Sequence, residues 1–432
     1  MNKQEYKRIL VISLNAWNDS NATGNTISSI FNGYPSNKIA NIYCRNERIA
    51  NKICKNYFRI TESSILKSLL HKQTAGETVV FDKTGSSNGN CTNLLSNTKT
   101  GNVLRKYRPA SLLFLREFVW NIPMWKSKEL DTFLENFQPE VIYMHGHANW
   151  YMHKIMDYCR KKTGAKQAMY WADDMYGYKS KQPLQLLYQY IFRKRIRKSM
   201  SNSDLLFGGS LKLCKEYSDI FGKEFIPLFK ECNMPSTYKD KETINNPILI
   251  VYAGNLLYGR EEILVELAKQ ITKVNQQELP YKIKLIIYSN TQISESAAVF
   301  LNNKNDSQYM GCQPYERVKK ALDEAELALF AESFSKDNIK KTRLSFSTKI
   351  IDCMQSSSAM LALGPETIAS MQYIIENKIG ITISDKQDIY ETLLNICRHP
   401  HTILEMARNK HAYALKKHTN TSANALERIS EL

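Results

Sequence analysis

The chain has 432 residues, of which 43% are hydrophobic and 23% charged, as is usual for a folded soluble protein. This length exceeds what one hydrophobic core serves, so we expect two domains. The formal net charge of +17 is high for a globular enzyme and predicts attraction to nucleic acid, a phospholipid surface or a phosphorylated substrate. No apolar run approaches the roughly 20 residues that span a bilayer, and the first apolar run is too short for a signal peptide.

The nine cysteines are scattered and form no C-x-x-C pair. This spacing favours reduced thiols in a cytoplasm over a disulfide framework or a zinc site.

The start of the chain predicts an α/β domain. Residues 8–14 (RILVISL) are typical of a strand buried on both faces. A polar loop with Gly24 and Asn25 follows, and then a predicted helix at 27–34. Strand, loop and helix form the opening unit of a doubly wound domain, which binds ligands at the carboxyl ends of its strands. A lone glycine in a loop is also an ordinary turn.

Two segments interrupt this pattern after further predicted strands at 39–44 and 56–62. Residues 63–105 are rich in Ser, Thr, Asn and Lys, which predicts a polar excursion from the domain. Residues 111–125 (SLLFLREFVWNIPMW) are apolar and aromatic with two charges. They predict a core helix or an apolar surface that meets a membrane, and we favour the core helix.

Polar side chains follow two more predicted strands. His145 and His147 come after PEVIYM, and Asp173 and Asp174 come after QAMYWA. Polar groups at the carboxyl ends of strands in one sheet predict an active cleft. The H-x-H pattern also fits a zinc pair, but no third ligand has suitable spacing, so we expect no metal.

A basic helix is predicted at 184–198 (LQLLYQYIFRKRIRK). Cations suit the end of a helix dipole, and the simplest interpretation is a solvated charged end. A basic helix with aromatic residues also suits an anionic membrane, so 181–198 is the candidate membrane-facing segment.

The polar stretch 231–246 predicts a domain boundary. We expect an N-terminal domain at 1–242, a C-terminal domain at 243–405, and a helix within 406–432 that packs back toward the first domain. Strand and helix patterns alternate in the second domain. Its first predicted strand starts at 247, and the later ones are 281–290, 326–333, 358–364 and 380–385.

The stretch from Thr342 to Ser358 (TRLSFSTKIIDCMQSSS) predicts an extended approach, a polar turn and a short helix. Ser347 or Thr348 fits the N-cap position. Free N–H groups, the helix dipole, two hydroxyls and Lys349 would together form an anion site. Asp352, just over one turn later, would meet a neutral polar part of the ligand, such as sugar hydroxyls. The alternative is an ordinary capped helix.

Three segments of the second domain resemble the group 1 (glycogen synthase-like) family of retaining glycosyltransferases. They are AGNLLYGRE (253–261), MGCQPYERVKKALDEAELALF (310–330) and SFSTKIIDCMQSSSAMLALGP (345–365). The third resembles the family's nucleotide-sugar signature, especially in the branch that builds bacterial surface polysaccharides. The resemblance implies the GT-B fold, in which two Rossmann-like doubly wound parallel-sheet domains face each other across a cleft.

The resemblance also implies roles by position. Ser347, Thr348 and Lys349 would hold the diphosphate of a nucleotide sugar, and Asp352 would replace the glutamate that bonds the ribose. Arg260, after the Gly254 turn, would stabilise the leaving diphosphate. The remaining implied contacts are Gly24 and Asn25 to the phosphates or the sugar, Tyr315 to the base, and His145, His147, Asp173 and Asp174 to the acceptor.

One position departs from the family pattern. The first of the family's two glutamates, seven residues apart, would fall at Leu344, and a leucine cannot replace it. Glu332, at the end of the preceding predicted strand, is the candidate substitute as catalytic carboxylate.

The resemblance implies a retaining transfer from a nucleotide diphosphate sugar to a saccharide or lipid-linked acceptor in surface polysaccharide synthesis. We expect the protein to be cytoplasmic or peripheral on the inner membrane face, with the nucleotide sugar as substrate and no cofactor or metal. Alternatives are a nucleotide-sugar epimerase of the same fold and a catalytically impaired partner subunit. A nucleic-acid-binding protein is a remote alternative, because no aromatic residues interleave with the charges as stacking platforms.

Overall fold

The structure is a computed structural model that describes residues 6–19, 22–71, 74–80, 110–177, 179–180, 182–234 and 241–432. The chain divides into two compact units. The first unit consists of Met1–Gly209, Cys214–Leu228 and Ser422–Leu432, and the second of Ser210–Leu213 and Phe229–Thr421.

The described part of the first unit contains one eight-stranded sheet. Its strands are β1 (Ile9–Ser13), β2 (Ile39–Tyr43), β3 (Asn56–Arg59), β4 (Glu77–Val80), β5 (Val141–His145), β6 (Lys166–Trp171), β7 (Leu205–Gly208) and β8 (Ile226–Pro227). Their order is β4-β3-β2-β1-β5-β6-β7-β8. Neighbours run parallel except β3 and β4, which are antiparallel.

Helices connect these strands. Before residue 229 they are α1 (Ala22–Ile30), α2 (Glu62–His71), α3 (Ala110–Val119), α4 (Lys128–Phe137), α5 (Trp150–Thr163), α6 (Pro183–Asn202) and α7 (Leu211–Phe221). All five residues of β1 are buried, as expected for a parallel strand with helices on both faces.

The second unit has a six-stranded parallel sheet within the described residues. Its strands are β9 (Ile248–Ala253), β10 (Ile283–Tyr288), β11 (Ser307–Gly311), β12 (Leu327–Ala331), β13 (Ala359–Leu363) and β14 (Ile381–Ile383). The order is β11-β10-β9-β12-β13-β14, with parallel pairing throughout. The chain therefore reverses its winding direction between β9 and β12, which is where doubly wound sheets bind ligands.

Helices also connect the strands of the second unit. They are α8 (Arg260–Asn275), α9 (Glu295–Leu301), α10 (Tyr315–Glu324), α11 (Lys336–Thr342), α12 (Thr348–Gln355), α13 (Ala369–Asn377), α14 (Ile389–Arg398) and α15 (His401–His418). Ile250 and Tyr252 of β9 pack in one core cluster and Val251 in another, so both faces of the sheet are covered. A last helix, α16 (Thr421–Ser430), contributes Ala425 and Ile429 to a core cluster of the first unit.

The structure corrects several predicted elements. α1 starts at Ala22, so Gly24 and Asn25 lie in a helix and not in the loop before it. The excursion predicted at 63–105 contains most of α2 and all of β4, while 81–105 lie outside the described residues. α11 was not among the predicted elements, and it ends at Thr342, where the predicted extended approach to Ser347 begins. β11 was not among the predicted strands.

The predicted core helix at 111–125 is only half buried. Val119, Trp120 and Trp125 are buried, whereas Leu112 is 47%, Leu115 59% and Phe118 67% exposed. Seven of the eight described cysteines are buried thiols, and Cys312 is exposed. None of the described helices combines the length and apolar character needed to cross a membrane.

Candidate active site

Lys349 is the central side chain at the carboxyl edge of the second sheet. It lies in the first turn of α12, and its Nζ donates a 2.9 Å hydrogen bond to Tyr252 Oη. The ammonium also lies 4.9 Å from the centroid of the Tyr252 ring. Tyr252 in turn donates to the Asn255 carbonyl at 2.7 Å. Helix α12 thus delivers a lysine to the point where β9 ends beside β12.

Gly254 makes room for this lysine. A Cβ at position 254 would fall 2.0 Å from Lys349 Cε and 2.6 Å from its Nζ. Any residue other than glycine would displace the lysine, because non-bonded carbon atoms are normally about 3.5–4.0 Å apart. Gly254, predicted from the sequence as a turn residue, therefore also lets the Lys349 side chain approach the backbone closely.

The environment of Lys349 disfavours its charged form. Burial removes the ammonium from water and Arg260 repels it, and together they lower its pKa from 10.5 to about 7 despite the opposing effect of Glu332. An anion placed beside Lys349 would restore the ammonium form. A partly buried lysine with a strongly lowered pKa beside a strand end is a candidate for a functional site.

Arg260 and Glu332 form a buried ion pair. Arg260 Nη2 lies 2.6 Å from Glu332 Oε1, and Arg260 Nη1 donates to Asn255 Oδ1 at 2.8 Å. The arginine is 7% and the glutamate 3% exposed. Without ligand, the charge of Arg260 is therefore paired with that of Glu332, and the roles predicted for these two residues stay predictions. The pair joins the end of β12 to the turn after β9.

The start of α12 is held by α13. Ser347 is the N-cap residue, but its side chain makes no capping hydrogen bond, which corrects the prediction of a hydroxyl cap. Its amide donates to Ser370 Oγ at 3.1 Å, and that hydroxyl donates to the Ser345 carbonyl at 3.1 Å. Thr348 is exposed. The first N–H groups of a helix have no intrahelical partners, so this end of α12 can receive an anion.

The other end of α12 is fixed by a lysine that sequence reasoning missed. Lys410 is fully buried and donates to the carbonyls of Cys353 at 2.8 Å, Ser356 at 2.5 Å and Ser358 at 2.6 Å. Burial lowers its pKa to about 8. Lys410 lies in the middle of α15, and its carbonyl partners are 52 to 57 positions away in the chain, so no local sequence pattern signals this contact.

Asp352 and Tyr315 lie on the same side of the site. Asp352 Oδ1 is 3.5 Å from Lys230 Nζ. Tyr315 is 66% exposed at the first residue of α10, and desolvation followed by the charge of Asp352 raises its pKa. The structure therefore brings these two predicted contacts near each other and adds Lys230 as a partner of the aspartate.

The first unit places His145 at the end of β5, next to β6. Its Nε2 is buried and has no hydrogen-bond partner among the described residues, and burial lowers its pKa to about 4. The imidazole is thus neutral at ordinary pH. The carbonyl of His147 accepts from His153 Nε2 at 3.1 Å. Within the described residues, no group of three His, Cys, Asp or Glu could hold a metal ion.

The two predicted aspartates differ from each other. Asp173 is exposed. Asp174 is 9% exposed and accepts from the Gly177 amide at 2.6 Å, the Tyr176 amide at 3.2 Å and Tyr217 Oη at 3.1 Å. Asp174 therefore holds the turn after β6, and its place beside the acceptor stays a prediction.

A close packing contact explains why position 24 is a glycine. A Cβ there would lie 2.1 Å from the Asn18 carbonyl oxygen, so α1 can pack on that loop only through a glycine. Asn25, its neighbour in the first turn of α1, is exposed.

Solved structures with a similar fold cover almost the whole chain. HepE of Anabaena in complex with UDP matches with a TM-score of 0.63 and 10% identity, covering 98% of this chain and 100% of HepE. The UDP-forming α,α-trehalose-phosphate synthase of Burkholderia xenovorans, in complex with glucose-6-phosphate, matches at 0.61 and 9%, covering 98% and 100%. Sucrose-phosphate synthase of Thermosynechococcus elongatus matches at 0.60 and 9%, covering 98% of each chain.

No family model matches the sequence, and a search of curated proteins found no match. Identities near 10% establish a common fold and not a common reaction. The structural neighbours are GT-B glycosyltransferases, and both sheets of this chain correspond to that architecture. The chain has the α/β fold of the GT-B glycosyltransferases, with two Rossmann-like parallel-sheet units.

Proposed function

We propose that the chain is a glycosyltransferase that uses a UDP-sugar and transfers the sugar, with retention of configuration, to a saccharide or lipid-linked saccharide. Surface polysaccharide synthesis is the proposed setting. The observation that carries the proposal is the position of Lys349. It lies at the start of α12 and packs against Gly254, where the strand order of the second sheet reverses. HepE, a structural neighbour, was solved in complex with UDP, which supports uracil as the base.

The diphosphate is proposed to bind at the start of α12. The amide groups of this turn, the exposed Thr348 hydroxyl and Lys349 would share its negative charge. Breaking the sugar–phosphate bond places further charge on the diphosphate, and preorganised donors stabilise that charge in the transition state. Above pH 7, Lys349 would carry a full charge only when the anion is present, because its pKa without ligand is about 7.

The nucleoside is proposed to extend along α12 toward α10. Asp352 is one turn beyond Lys349 on the same helix, and its carboxylate can accept hydrogen bonds from ribose hydroxyls. Tyr315 is exposed at the start of α10 and offers a ring for stacking on the base. The nucleotide sugar is a substrate in this proposal, and we propose no cofactor or metal.

The acceptor is proposed to contact the first unit at His145. Its neutral imidazole, with a buried Nε2, can exchange a hydrogen bond with a sugar hydroxyl. His147 follows the end of β5 and Asp173 the end of β6, and both are proposed contacts of the acceptor. A lipid-linked acceptor would bring the protein to the inner face of a membrane, where the basic segment 181–198 would meet acidic lipids.

A nucleotide panel tests the donor site. UDP and UDP-sugars should raise the melting temperature of the whole protein, whereas GDP, ADP and CMP should raise it less, because only ligands that bind the folded state stabilise it. Lys349→Ala should lower sugar transfer by more than ~10-fold, as loss of one charge-stabilising donor typically does. Lys273→Ala is the matched control, since Lys273 is exposed near the far end of α8. Equal turnover in wild type and Lys349→Ala would refute the diphosphate assignment.

One observation favours a second candidate, a partner subunit without turnover. Leu344 is 1% exposed, so the position that carries a glutamate in the resembled family is a core position here, and Glu332 is held by Arg260. Tight UDP binding with no transfer from any UDP-sugar would support this candidate. Transfer with the anomeric configuration retained, read by proton NMR of the product, would exclude it.

A further inference from the structure

Three neighbouring helices of the first unit carry half of the exposed large apolar side chains of the described residues. Helices α2 and α3 contact each other, as do α3 and α6. Ten of the twenty such side chains lie on them. They are Leu66, Leu69, Leu70, Leu112, Leu115, Phe118, Leu184, Leu186, Leu187 and Tyr190. We call these ten residues the leucine surface.

The leucine surface consists of helical stripes opposite the buried faces of the same helices. In α2 the exposed leucines are three and four positions apart, and in α3 and α6 they recur mainly every third position, so each set shares a face. Other residues of α6, including Tyr188, Phe192 and Ile196, are buried. These helices therefore have apolar side chains on a solvent-exposed face as well as on the face that packs in the core. Large exposed apolar patches mark interaction sites.

The charges beside the leucine surface are almost all positive. α6 contains five basic residues and no acidic residue, and Lys194, Arg195, Arg197 and Lys198 are exposed. Glu117 of α3 is buried and accepts from the Trp150 and Tyr151 amides, so it does not offset them at the surface. The leucines occupy the first half of α6 and the cations its second half.

We infer that the leucine surface inserts into the interface of a bilayer that contains acidic phospholipids, with the cations of α6 on the headgroups. Apolar residues beside lysines and arginines are typical of helices that lie in this interface. A second copy of the chain fits less well, because a two-fold contact would bring the same cations together. This inference deepens the membrane contact proposed for 181–198 by adding apolar insertion through α2 and α3, and it does not require the transfer reaction.

Vesicle co-sedimentation of the full chain tests the inference. Wild type should bind vesicles of phosphatidylcholine mixed with phosphatidylglycerol, and bind vesicles of phosphatidylcholine alone more weakly. The double variant Leu70→Gln/Leu115→Gln should lower the partition coefficient by at least ~10-fold, because it removes two inserting side chains. Val299→Gln/Leu415→Gln is the matched control, since both residues are exposed on helices of the second unit.

A charge variant separates insertion from simple attraction. Lys194→Gln/Lys198→Gln should weaken binding and reduce its salt dependence, while the remaining binding persists in high salt because insertion is apolar. Unchanged binding of Leu70→Gln/Leu115→Gln would overturn the inference. So would a dimer of wild type, seen by light scattering, that this variant dissociates. The UDP-induced melting shift should be the same in wild type and variant, so failure here is distinguishable from failure of the proposed donor site.

Discussion

Binding of UDP should draw a proton onto Lys349. Without ligand its pKa is about 7, so at pH 8 about a tenth of the molecules carry the ammonium form. A diphosphate at the start of α12 would favour the ammonium form and return the pKa toward its ordinary value of 10.5. Proton uptake by Lys349 should therefore be about 0.9 per bound nucleotide at pH 8 and about 0.1 at pH 6.

The same shift predicts how affinity depends on pH. Charging Lys349 at pH 8, one pH unit above its pKa, costs about 1.4 kcal/mol, or about a tenfold loss of affinity relative to low pH. The sign follows from the lowered pKa: the ligand-free protein holds fewer protons than the complex, so raising the pH from 6 to 8 opposes binding. Ionisation of the UDP phosphate works in the opposite direction, so the variant without the lysine supplies the baseline.

Isothermal titration calorimetry measures both quantities. UDP is titrated at pH 6 and pH 8 in buffers with different ionisation enthalpies, and the dependence of the heat on the buffer gives the number of protons taken up. Lys349→Met removes the titrating group but keeps an unbranched side chain beside Gly254, and Lys273→Met is the exposed control. The phosphate of UDP contributes equally to both variants and wild type, so it cancels in the difference. Equal uptake by wild type and Lys349→Met at pH 8 would refute the reasoning.

Three further substitutions test the supports of the site. Gly254→Ala should weaken UDP binding by more than ~10-fold in the same calorimetry, since its Cβ would fall 2.0 Å from Lys349 Cε; unchanged affinity would show that the close contact is unimportant. Glu332→Gln should lower the free energy of unfolding in urea by about 3–5 kcal/mol, because Arg260 would be left as an unpaired buried charge. A loss below that of an exposed Glu→Gln control would show that the ion pair does not stabilise the fold. Lys410→Met should cost about 1–3 kcal/mol in urea unfolding, since three buried carbonyls lose their donor; no loss would mean that water replaces the ammonium.

The strands of both sheets could largely be predicted because buried parallel strands have continuous apolar sequences. β1, β9 and β13 are of this kind, and each was predicted within a residue or two of its bounds. β11 was missed because it lies at the sheet edge with only Ser307 fully buried, so its sequence has no apolar run. α11 (KDNIKKT) has no buried residue, and without an apolar face its sequence gives no helical period.

The residues of the candidate site were easier to predict than their pairing. Lys349 and Gly254 stand out locally, at a helix start and after a strand. The pairing of Arg260 with Glu332 spans 72 positions, and no local pattern could indicate it. The hydrogen bonds of Asp174 were not predicted for a similar reason, because one of its donors is a tyrosine 43 positions away.

The cations of the candidate site are not equivalent, and their pairing decides which one an anion can use. Arg260 is paired with Glu332 at 2.6 Å, and the part of its charge that the pair leaves uncompensated repels Lys349. Lys349 has a neutral hydroxyl as its partner, and its lowered pKa shows that its surroundings do not compensate a full charge. A bound diphosphate would supply this compensation and gain a strong hydrogen bond. In the proposed donor site, Arg260 therefore positions the turn, while Lys349 would respond to the ligand.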